Sequence, residues 1–153
     1  MNKEIERKFL VNGEPWKGHQ AYDIQQGYLS EGEVTTRVRI SNKKSYLTLK
    51  GKKTGITCSE YEYEIPLHDA QQMINSFCGK QLIQKKRYNI YHDGFRWEVD
   101  VFEGSNEGLV IAELELSSED QQFTFPDWIG EEVSSDARYY NSCLLERPWP
   151  FDD

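Results

Sequence analysis

The chain has 153 residues, of which 37% are hydrophobic and 29% charged, and its formal net charge is −8. This length suits a single domain over residues 1–153 with one buried core, and the acidic balance excludes a protein built to coat nucleic acid, whose phosphates demand a broad basic surface. The opening MNKEIERKFLV has no apolar signal core, and no uninterrupted apolar run approaches membrane-spanning length. Cytoplasmic residence, with no nucleic-acid or membrane partner, is therefore the expectation.

Alternation of period two dominates the chain and predicts eight strands, at 3–11, 21–29, 34–41, 45–51, 59–66, 82–91, 95–102 and 109–117. Between them stand turn formers: Glu31-Gly32, Asn42-Lys43, Lys53-Thr54-Gly55, Asp93-Gly94 and Gly104-Ser105-Asn106. Connections this short make neighbouring strands antiparallel, and Asp93-Gly94 supplies the positive φ angles of a tight hairpin. Residues 67–78 read as a helix capped by Asp69 and ended by Gly79, with Met73, Ile74 and Phe77 on one side. Residues 118–132 read as a helical turn or loop, and a second short helix is expected near Asp136. Cys58, Cys78 and Cys143 are odd in number and lack paired short spacing, so they read as reduced thiols. His19, His68 and His92 share no ligand spacing, and Trp16, Trp97, Trp128 and Trp149 are expected to pack outside the strands.

Residues two apart on a strand share a face. Glu4, Glu6 and Lys8 therefore lie opposite Ile5 and Phe9, and Arg37 and Arg39 lie opposite Val38 and Ile40. Thr48, Lys50 and Lys52 share a face, as do Glu60, Glu62 and Glu64. Lys85 with Arg87, Glu98 with Asp100, and Glu113 with Glu115 complete the set. A solvated face mixes signs, yet whole strands here are acidic or basic, and like charges side by side are destabilising unless something compensates them. The apolar faces opposite have helices available to cover them. The pattern thus points to a barrel with its charged faces inside, where carboxylates bind hard divalent cations and Arg and Lys bind phosphate oxygens. Such a cavity would hold a metal–polyphosphate complex and needs no Ser, Cys or His nucleophile.

Glu4-Ile5-Glu6-Arg7-Lys8 resembles the ExExK signature that opens the CYTH superfamily, the triphosphate tunnel metalloenzymes. Arg37-Val38-Arg39, Leu47-Thr48-Leu49-Lys50, Glu60-Tyr61-Glu62-Tyr63-Glu64, Lys85-Lys86-Arg87-Tyr88, Trp97-Glu98-Val99-Asp100 and Ala112-Glu113-Leu114-Glu115 follow in the order of that family's strands, so the likeness spans about residues 3–145. The resemblance implies a mainly β (α+β) fold: a closed eight-stranded antiparallel tunnel barrel with a charged interior and a few flanking helices. It implies metal ligands at Glu4, Glu6, Glu113 and Glu115, with Glu62 near a second metal. Lys8, Arg37, Arg39, Lys50, Lys85 and Arg87 fall at the triphosphate-binding positions, with Arg138 near the tunnel mouth. The implied catalytic set is Glu4, Glu6, Lys8, Glu62 and Lys85, and the implied cofactor is Mg²⁺ or Mn²⁺. The expected activity is hydrolysis of a triphosphate-containing small molecule, foremost inorganic triphosphate, by a monomer or a homodimer. Adenylyl cyclase, thiamine triphosphatase and a non-catalytic polyphosphate- or nucleotide-binding module are the alternatives on the same fold.

Overall fold

The computed structural model describes residues 2–79 and 82–151. Each alternating segment forms a strand, because alternation lets one face meet apolar cover while the other meets polar groups. They are β1 (Lys3–Val11), β2 (Ala21–Ser30), β3 (Thr35–Ser41), β4 (Lys44–Lys50), β5 (Thr57–Ile65), β6 (Ile83–His92), β7 (Phe95–Phe102) and β8 (Val110–Glu115). The hairpin between β6 and β7 turns at Asp93 (φ 47°) and Gly94 (φ 82°), as the Asp-Gly pair requires. All pairings between these strands are antiparallel, and they run β5-β4-β3-β2-β6-β7-β8-β1. β1 then pairs with β5 through Lys3↔Ser59, Glu4↔Cys58 and Ile5↔Thr57, which closes the ring.

A ninth strand, β9 (Ile129–Glu132), falls within the segment read from sequence as a helical turn or loop. It pairs with β1 at Phe9↔Glu132 and Val11↔Ile129, with an irregular register between them. Four residues with Gly130 among them are too short for alternation to register; the strand forms because the end of β1 offers an unpaired edge.

Closure turns the apolar faces outward, and three clusters cover or plug the barrel. Phe9, Trp97, Val99, Ala112 and Leu114 form an outer core beneath Trp16, Phe123 and Trp128. Trp97 is fully buried there, edge-to-face with Phe9, Phe123 and Trp128. Arg7 fastens this covering segment: its guanidinium lies 5.0 Å from the centre of the Phe123 ring and makes paired bonds of 2.8 and 2.6 Å to the Glu132 carboxylate.

A second outer cluster joins Val38 with Ala70 and Ile74, which stand on α1 (Leu67–Met73) and the π-helical turn Ile74–Cys78 that continues it. The helix starts after Pro66, so Asp69 lies in its first turn and does not cap it. The wider π turn also corrects the expected apolar side: Ile74 stays buried while Phe77 rotates out to 66% exposure. Gly27 on β2 permits this packing, since a Cβ there would meet Cys78 Sγ at 2.6 Å and Leu82 Cδ2 at 3.0 Å.

The third cluster is inside. Ile83, Phe102 and Ile111 share the inward parity of Lys85, Asp100 and Glu113, and they pack against Leu144 of α2 (Asn141–Glu146) and Tyr139 of the 3-10 turn Ala137–Tyr139. The short helix expected near Asp136 is thus a 3-10 turn followed by α2, and it gives the barrel interior an apolar floor. Among the described residues no helix is long and apolar enough to cross a membrane.

Gly27→Ala is expected to destabilise the fold by about 1–3 kcal/mol, the scale of overpacking a tight contact, read from denaturant unfolding. Glu132 gives a pH signature of its own. The hydrogen bonds from Arg7 hold its carboxyl below the ordinary value of 4.5 despite partial burial. The folded pKa is therefore below the unfolded one, so this contribution is present above about pH 4.5 and is lost as the pH falls through the folded value. Urea titrations at stepped pH should show a smaller loss of stability on acidification in Glu132→Gln than in the parent; identical profiles would remove the pair from the acid response.

Candidate active site

The inward positions of the strands enclose two cavities of about 220 and 210 Å³ that share Glu4, Glu6, Lys8, Arg37, Lys50 and Asn141 in their walls. The inner cavity is lined by Glu4, Glu6, Lys8, Arg37, Arg39, Lys50, Glu60, Glu62, Arg87, Arg96, Glu98, Glu113, Glu115 and Asn141. Ten of the residues singled out from sequence are therefore brought together: Glu4, Glu6, Lys8, Arg37, Arg39, Lys50, Glu62, Arg87, Glu113 and Glu115. The outer cavity adds Tyr28, Lys52, Lys53, Cys58 and Tyr140.

Register decides which charges neutralise each other. Lys50 stands opposite Glu60 across β4 and β5, Arg87 opposite Asp100 across β6 and β7, and Lys8 opposite Glu113 across β1 and β8. Lys50 Nζ lies 2.9 Å from Glu4 and 3.4 Å from Glu60, and Lys8 Nζ lies 3.9 Å from Glu113. Arg37 donates to Thr48 Oγ1 at 3.3 Å, and Thr48 donates onward to Glu62 at 3.0 Å. Arg39 donates to the buried Gln26 at 3.0 Å, and Gln26 donates to the Tyr28 hydroxyl. The acidic and basic strands noted in the sequence thus compensate one another in part.

The compensation is incomplete, and what remains is polarised. Glu6 stands opposite Glu115, and Glu98 opposite Glu113, so β7, β8 and β1 form an acidic wall. In the ring of eight strands β3, with Arg37 and Arg39, lies four strands from β8 in either direction. The two arginines therefore face the acidic wall across the tunnel. The titration of the lining groups follows this division. Burial, with Glu113 and Glu4 beside it, pushes the Glu6 carboxyl well above its ordinary value. Burial also opposes ionisation of Glu4 and Glu113, but Lys50 brings Glu4 down to about 2, and Lys8 with Arg87 holds Glu113 well below the carboxylate range. Partial burial and the nearby Glu4 and Glu98 raise Glu115. On the basic wall, burial with Arg37 and Arg87 close by lowers Arg39 to about 10.

No three His, Cys, Asp or Glu side chains among the described residues stand in a ready-made metal cluster. The donor set nevertheless fits a hard divalent cation in kind: the atoms on this wall able to ligate a metal are carboxylate oxygens, and burial with Glu113 and Glu4 beside it leaves Glu6 short of compensating positive charge. Glu4 and Glu113 are tied to Lys50 and Lys8, so coordination by them requires those lysines to give way.

Lys85 and Arg138 stand apart from the ten. Lys85 is paired with Phe102 in register, one inward position deeper than Arg87, and its side chain has no exposure. Its ammonium lies 2.7 Å from Asp100 and donates to Asn141 Oδ1 at 3.0 Å. Asp100 in turn accepts two bonds from Arg87, at 2.7 and 2.9 Å, while Arg87 NH1 reaches Glu98 at 3.0 Å. Lys85 is thus the base of the lattice that aims Arg87. Arg138 sits on the 3-10 turn, its guanidinium 2.7 Å from Asp136 and 4.9 Å from the centre of the Phe151 ring.

Sequence reading assigned no role to Gln26, Thr48, Glu60, Asp100, Lys53, Tyr140 or Asn141. Thr48, Glu60 and Asp100 carry a usable signal, because each shares the parity of a charged neighbour on its own strand, whereas β2 offers no such neighbour to mark Gln26. The last three lie outside the strands, and no local pattern marks them.

The lattice and the basic wall predict opposite signs. Lys85→Met leaves Asp100 buried with one cation fewer, so it is expected to lower stability by about 3 kcal/mol, the scale for breaking a buried pair. Arg39→Met relieves repulsion from Arg37 and Arg87, so in the absence of anions it is expected to unfold at or above the parent temperature. Thermal unfolding of the three proteins in a non-binding buffer decides the matter; a Lys85 variant as stable as the parent would remove the anchoring role.

Comparison with known proteins agrees with this geometry. A family model described as CYTH domain matches residues 2–142. An inorganic triphosphatase of Acetivibrio thermocellus is 49% identical over 151 residues, covering 97% of each chain. One from Nitrosomonas europaea is 37% identical over 146 residues, 92% of this chain and 95% of that one. The crystal structure of the inorganic triphosphatase NE1496 superposes with a TM-score of 0.68 at 35% identity, covering 95% of both chains. With the ordered charged strands, the closed antiparallel ring and a match over most of its length, the chain belongs to the CYTH domain family.

Proposed function

We propose that this protein hydrolyses inorganic triphosphate to pyrophosphate and phosphate with the help of Mg²⁺ or Mn²⁺. The observation that carries this reading is the acidic wall of β1, β7 and β8 set against the arginines of β3 within one small cavity. Support comes also from the two relatives named inorganic triphosphatase, which cover 97% and 92% of the chain. Glu4, Glu6, Glu113 and Glu115 would hold the cation, with Glu62 placed for a second. A bound divalent cation supplies charge neutralisation at the phosphoryl oxygens and acidifies a water.

The chain's own residues do the rest. Arg37, Arg39 and Arg87 offer forked donors to phosphate oxygens, and Lys8 and Lys50 add point charges that the substrate draws away from Glu113 and Glu4. Held in line, the terminal phosphorus gains an oxygen from water as its bond to the pyrophosphate oxygen breaks, and the fixed cations stabilise the charge on the departing pyrophosphate. Lys85 acts at one remove, keeping Asp100 and so Arg87 in place. A base and ribose have no counterpart in the inner wall, where every lining side chain but Asn141 is charged. Tyr140, an aromatic of the outer cavity, has the Lys53 ammonium 4.6 Å and the Lys8 ammonium 5.6 Å from its ring centre. A triphosphate without a nucleoside therefore meets the charged wall along its whole body, and differential stabilisation favours it.

Phosphate release and product chromatography with triphosphate, ATP and thiamine triphosphate test this. Triphosphate should have the highest kcat/KM, and ATP should give no cyclic product; cyclic AMP or an ATP preference would overturn the substrate assignment. A chelator should abolish turnover, and Mg²⁺ or Mn²⁺ should restore it. Glu6→Gln and Glu115→Gln keep side-chain volume but remove an anionic oxygen, so turnover at limiting metal should fall at least about tenfold with the circular dichroism unchanged.

A further inference from the structure

Among the described residues, Asn141 is the one uncharged side chain lining the inner cavity, and the one lining residue there that does not come from β1–β8. It lines the outer cavity as well, so it stands where the two meet. Its amide orientation is fixed by chemistry. Lys85 Nζ, 3.0 Å away, is a donor only, so the atom facing it is Oδ1. The Lys85 ammonium is in turn held by Asp100 at 2.7 Å, both side chains being wholly buried, so this partner does not move aside. The Nδ2 group consequently points away from Lys85, and among the described residues its two N–H donors have no protein partner, on a side chain that lines both cavities. Lys8, Arg37 and Lys50, which also line both cavities, mark the stretch a polyphosphate would occupy.

We propose that Asn141 is a further substrate-binding residue, one that donates from Nδ2 to a phosphoryl oxygen of triphosphate while Lys85 holds its Oδ1. This rests on the triphosphatase reading above and adds to it a neutral donor carried by the C-terminal segment. Through it the anion would clasp α2 against the barrel, because the same side chain touches both substrate and floor. A neutral amide also suits the position: it offers donors to the anion without adding to the repulsion among the arginines.

Asn141→Asp and Asn141→Ala separate binding from structural support. Aspartate keeps the acceptor for Lys85 but turns an acceptor to the substrate; alanine removes both. Calorimetric titration with inorganic triphosphate, without metal, should give about tenfold weaker binding for Asn141→Ala, as for loss of one bond to a charged group. Asn141→Asp should bind at least as weakly as the alanine variant, although its ligand-free melting temperature should match or exceed the parent's. A role confined to supporting Lys85 predicts the reverse, with Asn141→Asp restoring affinity along with stability; that result, or parent affinity in Asn141→Ala, would overturn the proposal. A parent that binds no triphosphate without metal and releases no phosphate from it with Mg²⁺ or Mn²⁺ would instead overturn the triphosphatase reading on which the proposal stands.

Discussion

The pairing of β1 with β5 is the constraint on which the rest of the structure depends. With β1 joined only to β8, the sheet would be open and its charged face could lie in water; with β1 bonded on both sides, that face has nowhere to go but inside. Closure then requires the apolar faces to be covered from without. The segment carrying Phe123 and Trp128 covers one side, and α1 with its π turn covers another. The main cores of this protein are accordingly on the outside of its sheet, and the barrel lumen is left for chemistry.

Burying so many charges is costly unless they pair, and the register makes most of the pairs. Opposite signs meet across β4 and β5, β6 and β7, and β1 and β8. The exceptions lie at residues proposed to bind the cation and the triphosphate. Glu6 and Glu115 face each other with no cation between strands, and Arg39 lies near Arg37 and Arg87 with Gln26 as its bonded partner. A protein optimised for stability alone would pair or replace these groups, so their retention is the trade expected of a preorganised site.

The C-terminal segment links the outside of the barrel to its inside. β9 fastens it to the edge of β1, the Arg7–Glu132 pair holds the covering segment, and α2 plants Leu144 and Asn141 at the floor. It makes few backbone ladder bonds of its own, so its order comes from side-chain contacts, and segments of that kind are the ones whose stability responds to ligands.

The sequence by itself determined the strands and the content of the lumen. Alternation is a local property, so each of β1 to β8 was legible, and the parity of Glu4, Glu6 and Lys8 or of Arg37 and Arg39 followed without any tertiary information. Tertiary structure decided which charges would neutralise which. Lys85 and Arg87 look equivalent along β6, yet one inward step separates a lysine bound to Asp100 at the apolar floor from an arginine on the cavity wall. The ninth strand and Asn141 were likewise decided in three dimensions, the first by an open edge of β1 and the second by where α2 meets the barrel. Periodicity records the face a residue shares with its own strand; it holds no information on depth along the tunnel or on groups that other segments bring to it.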